Sequence, residues 1–533
     1  MSQNILKFFI ERGFLLDKEM LDFLNELEDE EIADEIISKI AIASKQKLIT
    51  KSLVNRNFEK IRPLFFKLDD NKKKLIEKFF VNVSISVEVK KETLIVDDYL
   101  NNYNEKGSVK VISSPVMPSH KLEVKDFIKH FRNRYNSIKG ILQIRRELEN
   151  LTSIDKIGGN KSFSIIGIVT SKFITKNKNI ILEVEDLTGR VKLLVNHSKD
   201  EIFEKSKEIL LDDVIGFKCS GSKELLFVND LFYPDAYLEN KVSIDQESFA
   251  LFISDIHVGS KNFLEKNFNK FISWLSGDGA DEVQKSLLKK IKYLFVVGDT
   301  IDGVGVYPGQ EKDLAVKDIR EQYRILAEFY KKIPSHISII QCAGQHDAVR
   351  VAEPQPPVGN DFAKPLHVLS NLYLVSNPSM VEIGATSEKR GLRVLMYHGA
   401  SMHTLINEIE ELRLSNSHRT PAKVVKHLLL RRHLAPSHGT MVYIPNPKED
   451  PLFIKEVPDV LTTGDLHRTD IDRYNDILII CNSCWQSITA FEEKVGNEPD
   501  PCKVPMLNLK NREIKILDFS DGELEEAGEW KKD

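Results

Sequence analysis

The sequence predicts a multidomain chain in which a helical N-terminal module and an all-β segment precede a larger α/β domain. Three observations carry that reading. The chain has 533 residues, room for three or four domains at about 150 residues each. Near residue 160 the hydrophobic period changes from helical to two. From residue 248 apolar strand-like runs alternate with helical stretches, and polar residues collect at the strand ends.

Composition narrows the function classes. Lys plus Arg is 75 and Asp plus Glu is 80, a formal charge of −5. A positive field over the whole chain is therefore excluded, and any basic binding surface is local. With 41% hydrophobic and 29% charged residues, the chain has material for more than one core. No run approaches 18 uninterrupted apolar residues, so no membrane span is expected. The opening MSQNILKFFIERGFLL carries Glu11 and Arg12 within its apolar stretch and reads as a helix, not a signal peptide. Five cysteines in so long a chain predict no disulfide framework and a reducing, cytoplasmic location. Cys481 and Cys484 form a CxxC without a second pair or flanking histidine, and core packing is the expected role.

Residues 1–65 read as a helical module. Leu16, Met20, Leu21 and Leu24 flank the possible N-cap Asp17, and Ile32, Ile36, Ile37 and Ile40 repeat at helical spacing. Residues 66–122 read as an irregular segment ending in a polar, periodless linker from about 98. A basic amphipathic helix is expected within 123–150, where Phe127, Phe131, Tyr135, Ile138 and Leu142 form one apolar stripe. Its other face carries Arg132, Arg134, Arg145 and Arg146, candidate contacts to nucleic-acid phosphates. A plain solvated helix face explains the same residues equally well.

Over 151–240, FSIIGIVTSKF, NIILEVEDLTGRVKLLV, DVIGFKCSG and LLFVNDLF read as strands, with a hairpin turn at Asp186–Gly189 and a helix at DEIFEKSKEIL. Strand, long hairpin, helix and further strands is the order of an OB-fold, a barrel that often binds single-stranded nucleic acid.

Residues 241–533 hold the chemistry. FALFIS ends in Asp255-Ile256-His257, and YLFVV in Gly298-Asp299-Thr300-Ile301-Asp302. ISIIQCA ends in Gly344-Gln345-His346-Asp347, LRVLMY in His398-Gly399, and DVLTT in Gly464-Asp465-Leu466-His467. Loops at the carboxyl ends of such strands are where open α/β sheets place their sites. Two divalent ions need a bridging carboxylate with imidazole and oxygen ligands around it, and this set supplies that mixture. Any one of these residues alone is better read as a cap or a core histidine. Five such strand ends in succession point to a metal site.

The series DxH, GDxxD, G-Q-H-D, H-G and G-D-x-H resembles the signature of calcineurin-like metallophosphoesterases. GQHDAVRVAEPQPP, YHGAS, RRHLAPSHG and NEPDPCKVPMLNL further resemble the small subunit of archaeal family-D DNA polymerase, its proofreading exonuclease subunit. The resemblance covers roughly residues 125–520 and implies a metallophosphoesterase sandwich behind the OB-fold. By motif position it implies that Asp255, His257 and His467 hold one metal, that Asp299 bridges, and that Gln345, His398 and Asp465 complete the second site. It places His346 at the scissile phosphate and Asp302 as the group orienting that imidazole. It implies two divalent ions, a large catalytic polymerase subunit as partner, and single-stranded or primer-terminus DNA as substrate.

Two positions depart from the pattern. Gln345 stands where the motif has Asn, and Asp465 where it has the first His of G-H-x-H. Both changes fall on the second metal. Gln reaches one methylene farther, and Asp replaces a neutral nitrogen with a charged, hard oxygen. That favours Mn²⁺, with Mg²⁺ or Zn²⁺ as alternatives. The expected function is metal-dependent 3′→5′ exonuclease proofreading within a heterodimeric replicative polymerase. The rival expectation is a weakened or inactive scaffold subunit, like the eukaryotic B-subunits. A stand-alone phosphatase fits less well, because it needs neither the OB-like segment nor the 399–460 insertion.

Overall fold

The computed structural model describes scattered positions between 9 and 49, and residues 108–115, 121–158, 162–386, 388–439, 441–495, 497–520 and 525–529. The chain divides into two compact units, Met1–Tyr103 and Asn104–Asp533. In the first, β1 (Leu15–Leu16) pairs in parallel with β2 (Leu48–Ile49), and Phe9, Leu24, Ile37 and Ile49 are buried. The rest of the helical module expected over 1–65, and all of 66–107, lies outside the described residues.

The second unit opens with β3 (Val109–Ser113), in the stretch expected to be linker. It pairs antiparallel with residues 380–383, and Val109 opposite Ile383 is its one fully buried side chain. An edge strand buries so little of itself that its sequence carries almost no period. Helix α1 (Val124–Leu142) follows, opened by a capping box between Glu123 and Asp126. Tyr135, Ile138 and Leu142 are buried against Leu148, Ile166 and Val214, while Phe127 and Phe131 are half-buried.

A closed five-stranded barrel comes next. Strands β4 (Phe163–Ile174), β5 (Ile180–Glu185) and β6 (Arg190–Val195) form a meander, then α2 (Asp200–Lys207) leads to β7 (Val214–Ser222) and β8 (Leu225–Phe232). The ring order is β4-β5-β6-β8-β7. Asp186 Oδ1 accepts from the amides of Thr188 at 2.7 Å and Gly189 at 2.9 Å, which fixes the hairpin between β5 and β6. Alternate residues Ile180, Leu182, Val184, Leu193 and Val195 fill the interior.

The remainder is a two-sheet sandwich. Its elements are β9 (Phe249–Ile253), α3 (Glu265–Ser276), α4 (Glu282–Lys290), β10 (Ile291–Val297), α5 (Ile319–Tyr330), β11 (Ser338–Cys342), β12 (Leu372–Leu374), β13 (Ser379–Ile383) and β14 (Leu392–Met396). After them come α6 (Pro421–Arg431), β15 (Val460–Thr463), β16 (Asp470–Tyr474), β17 (Ile477–Cys481), α7 (Ala490–Val495), β18 (Lys503–Asn508), β19 (Ile514–Asp518) and β20 (Glu525–Glu529). One sheet runs β12-β11-β10-β9-β18-β19-β20 and the other β16-β17-β15-β14-β13-β3.

Between the sheets, Ala250, Phe252, Phe295 and Val297 meet Val381, Val394, Met396, Leu478 and Ile480. On the outer face of the first sheet, Leu251, Ile253 and Leu294 pack under α3 and α5. On the second, Leu395, Leu461 and Ile479 pack under α6 and the helical turns before it. Central strands covered on both faces read as unbroken apolar runs, which makes them visible in the sequence. The barrel is tied to the sandwich by a buried ion pair, Asp213 to Arg431 at 3.1 Å. Cys481 and Cys484 are buried, Cys484 donating to Gln486 O at 3.3 Å and lying beside His467, and none of the five cysteines is in a disulfide. Among the described residues no helix is long and apolar enough to cross a membrane.

Candidate metal centre

The strand ends named from the sequence converge where the two sheets meet. Five of the predicted ligands sit on left-handed backbone: Asp255 (φ 49°), His257 (53°), Asp299 (48°), Asp465 (68°) and His467 (55°). A non-glycine residue pays about 1 kcal/mol or more in that region, so five together mark a strained, over-determined site. The loops after β9 and β10 are stitched together, the Asp255 amide donating to Gly298 O and the His257 amide to Asp299 O, each at 3.0 Å. A Cβ at Gly298 would collide with the His398 ring, and one at Gly344 with the Asp299 carboxylate. Glycine at these two positions lets the ligands approach.

Asp255, His257 and His467 form one candidate metal-binding group. His257 Nδ1 faces Asp302 Oδ1 at 3.1 Å, and His467 Nδ1 faces Glu492 Oε1 at 2.8 Å. With each Nδ1 occupied by a carboxylate, both Nε2 atoms turn inward and face one another at 3.3 Å. Asp255 Oδ1 lies 3.5 Å from His467 Nε2.

Asp255, Asp299 and His398 form a second group. His398 Nδ1 is fixed on Val297 O at 2.8 Å, which aims Nε2 at Asp299 Oδ2 (3.3 Å), Asp255 Oδ1 (3.9 Å) and Asp465 Oδ1 (3.9 Å). His398 Nε2, Gln345 Oε1 and Asp465 Oδ2 are all buried without a hydrogen bond. Buried nitrogen and oxygen atoms left without a hydrogen bond, together with the facing imidazoles, fit divalent cations. The electrostatics agree. Burial disfavours protonated His398, but Asp299, Asp255 and Asp465 outweigh it and hold its pKa well above the ordinary imidazole value. Burial likewise opposes ionised Asp299, and His398 and His346 overcome it to keep that carboxyl well below the usual range. The pocket is a trap for positive charge.

His346 is half-buried, its Nδ1 on the main-chain carbonyl of Asp302 at 2.8 Å and its amide donating to Asp299 Oδ1 at 2.8 Å. The first contact leaves Nε2 for the site. Asp302 thus meets His346 through its carbonyl, while its carboxylate serves His257. Asp347, last in the same motif, is structural. It is buried and accepts from Thr300 Oγ1 (2.6 Å), Gly344 N (2.9 Å) and Tyr323 OH (3.1 Å).

The basic residues of the α1 region separate. Arg134 is buried, donating to Asp450 at 2.7 Å and to Pro436 O at 2.7 Å, so it is withdrawn from any nucleic-acid surface. Arg145 is engaged with Tyr233 O at 2.7 Å and Glu147 at 3.0 Å. Arg132 and Arg146 are exposed.

Two neighbours of the centre carry no signal in the sequence. Glu492 lies on α7, outside every motif. His403 Nε2 stands 3.6 Å from Asp465 Oδ2, with His418 Nε2 at 3.3 Å from its other nitrogen. Neither has a spacing that would mark it.

A sandwich whose strand ends gather carboxylates and imidazoles in three overlapping groups, the two above and a third of His257, Asp302 and His346, defines a candidate metal-binding protein. Residues 250–471 match the family model of the DNA polymerase alpha/epsilon B-subunit. The DNA polymerase II small subunit of Methanothermobacter thermautotrophicus is 38% identical over 400 residues, 75% of this chain and 80% of that protein. That of Archaeoglobus fulgidus is 31% identical over 524 residues, 98% of this chain and 99% of its own. That of Pyrococcus abyssi is 36% identical over 404 residues, covering 74% of this chain and 63% of the relative. The chain belongs to the family of archaeal DNA polymerase II small subunits, the small subunits of family-D polymerase.

Proposed function

We propose that the chain is the 3′→5′ exodeoxyribonuclease subunit of a heterodimeric DNA polymerase, built as a metallophosphoesterase sandwich behind an OB-fold. The observation that carries this is the pair His257 and His467, each backed by a carboxylate on Nδ1 and each turning Nε2 into a carboxylate-lined pocket. A purely structural cluster has no need to leave two imidazole nitrogens opposed at 3.3 Å.

In this reading Asp255, His257 and His467 hold one divalent ion. Asp299, His398, Gln345 and Asp465 hold the other, with Mn²⁺ favoured by the oxygen-rich set. Bound there, the ions supply charge for the phosphoryl oxygens and acidify water. The protein's own work is placement and proton transfer. His346, with its Nδ1 hydrogen on Asp302 O, presents Nε2 to the scissile phosphate and protonates the leaving 3′ oxygen. Asp302 positions both His257 and His346. Exposed Arg132 and Arg146 guide single-stranded or primer-terminus DNA, and a large catalytic subunit in the cytoplasm performs synthesis.

The scaffold reading has one observation in its favour: Asp465 turns an oxygen toward His403 as well as toward His398. The two are separated by a 3′-labelled single-stranded oligonucleotide with saturating Mn²⁺. Expected is nucleotide-by-nucleotide shortening that His346→Ala abolishes with bound metal unchanged. Cleavage undiminished in His346→Ala, or absent in the intact chain bound to its large subunit, overturns the nuclease assignment.

A further inference from the structure

The loop between Asp302 and the start of α5 does something unusual for a charged site: it presents apolar side chains to solvent. Val304, Val306 and Tyr307 are 45%, 38% and 42% exposed. The Tyr307 ring lies edge-on to His346, centroid to centroid 6.4 Å. Single exposed apolar residues are ordinary, but three within four positions at the mouth of a metal centre are not.

The loop is also held rigidly. Buried Gln322 accepts from the Gly303 amide at 2.9 Å and donates back to Gly303 O at 3.1 Å. Buried Gln310 accepts from the Val306 amide at 2.9 Å and donates to Asp302 O at 2.8 Å. The Tyr307 hydroxyl donates to Asp313 at 3.0 Å, which ties down the far end of the ring. Asp302 O is the same carbonyl that receives His346 Nδ1. One carbonyl therefore sets the register of both the imidazole and the aromatic loop. Two buried glutamines thus fix the backbone of the loop that carries this apolar surface.

We infer that Tyr307, flanked by Val304 and Val306, is a nucleobase-binding subsite that stacks the base of the 3′-terminal nucleotide. The occupant follows from position. A nucleotide whose phosphate stands at His346 must put its base within one nucleotide's reach of that imidazole, and the Tyr307 ring is there. An aromatic face accepts any of the four bases, as an enzyme that removes whichever nucleotide is misplaced requires. Stacking on a pre-positioned ring also costs little ordering entropy. The inference rests on the nuclease reading, and the test separates the two.

The experiment uses the full chain with saturating Mn²⁺ and two 3′-labelled oligonucleotides, one ending in a normal nucleotide and one in an abasic nucleotide. Tyr307→Ala is expected to lower kcat/KM on the normal end by about ten- to a hundredfold, chiefly through KM, and to leave the abasic end unaffected. Tyr307→Phe, which keeps the ring and loses only the Asp313 anchor, is expected to lose far less. A second readout needs no catalysis. In a His346→Ala background, 2-aminopurine at the 3′ terminus should be quenched on binding, and Tyr307→Ala should remove that quenching. Equal loss on both ends, or unchanged quenching, overturns the subsite. So does a Tyr307→Ala chain that cleaves normally but no longer co-purifies with the large subunit, since the patch would then be a protein-docking surface. An intact chain that fails to cleave while Tyr307 still governs quenching overturns the nuclease reading alone.

Discussion

Glu492 holds His467 from behind, its Oε1 2.8 Å from Nδ1, while its other oxygen accepts from the amide and hydroxyl of Thr489 at 2.9 Å each. Burial pushes the Glu492 carboxyl up, but His467 and Thr489 outweigh it and keep it below the ordinary value. A carboxylate so placed fixes the ring and raises the basicity of Nε2. Glu492→Gln keeps the shape and removes the charge. We expect Mn²⁺ affinity, measured by titration calorimetry, to fall about ten- to a hundredfold with the fold intact. Unchanged affinity would mean that His467 is not a ligand.

The second prediction separates two kinds of arginine that look alike in the sequence. Arg134 and Asp450 are both buried and 2.7 Å apart, with His433 at 2.9 Å and His130 at 3.4 Å from the same carboxylate oxygen. Burial, opposed chiefly by Asp450, lowers His130 to about 4, so it is neutral near pH 7. Arg134→Ala leaves the Asp450 charge without its main partner, and a loss of about 3–5 kcal/mol is expected in denaturant unfolding. Arg132→Ala and Arg146→Ala should leave stability within about 0.5 kcal/mol. Each should instead flatten the salt dependence of single-strand binding by roughly one unit of slope. Loss of stability in the exposed pair, or none in Arg134→Ala, would reverse the division.

These cases show what a sequence can and cannot disclose. Metal chemistry limits residue types severely, and each candidate ligand follows a central strand whose two buried faces make it stand out. The centre is legible for those two reasons. Glu492 is not, because a supporting carboxylate needs only to reach one ring nitrogen from anywhere in the chain. Arg134 is illegible for another reason. Helical periodicity shows which face is charged and not that Tyr443, Pro447 and buried Asp450 lie against the helix. Sequence likewise cannot tell a carboxylate contact from a carbonyl one, and Asp302 uses both. β3 leaves no trace because an edge strand keeps one face in water.

That edge strand yields the third prediction. Val109 is buried, Ser108 O accepts from Tyr293 OH at 3.2 Å, and Ser114 Oγ donates to Ser376 Oγ at 2.9 Å. A chain beginning at residue 104 keeps all of this, and one beginning at residue 120 loses it. Burial of one valine side chain is worth about 1.5–3 kcal/mol, so the shorter chain should unfold at clearly lower denaturant. Equal midpoints for the two would mean that β3 adds nothing to the sheet.

The last prediction concerns Gln345 and Asp465, where this chain departs from the pattern it resembles. Gln345 Oε1 is buried without a partner, and Asp465 divides its oxygens between His398 at 3.9 Å and His403 at 3.6 Å. If both side chains serve one ion, each sets where that ion can sit for the other. Asp465→His alone restores a nitrogen but leaves Gln345 reaching one methylene too far. Gln345→Asn alone shortens the amide while the carboxylate still draws the ion toward itself. The double change is therefore expected to shift Mn²⁺ affinity and exonuclease rate by more or less than the product of the single changes. Coupling between groups in one such network commonly amounts to about 0.5–3 kcal/mol, roughly twofold to more than a hundredfold. The measurement is a double-mutant cycle, read by calorimetry as well as by cleavage, so that it holds even if catalysis is weak. Additive effects in both would place the two residues on separate ions, and the assignment of at least one to the second site would fall.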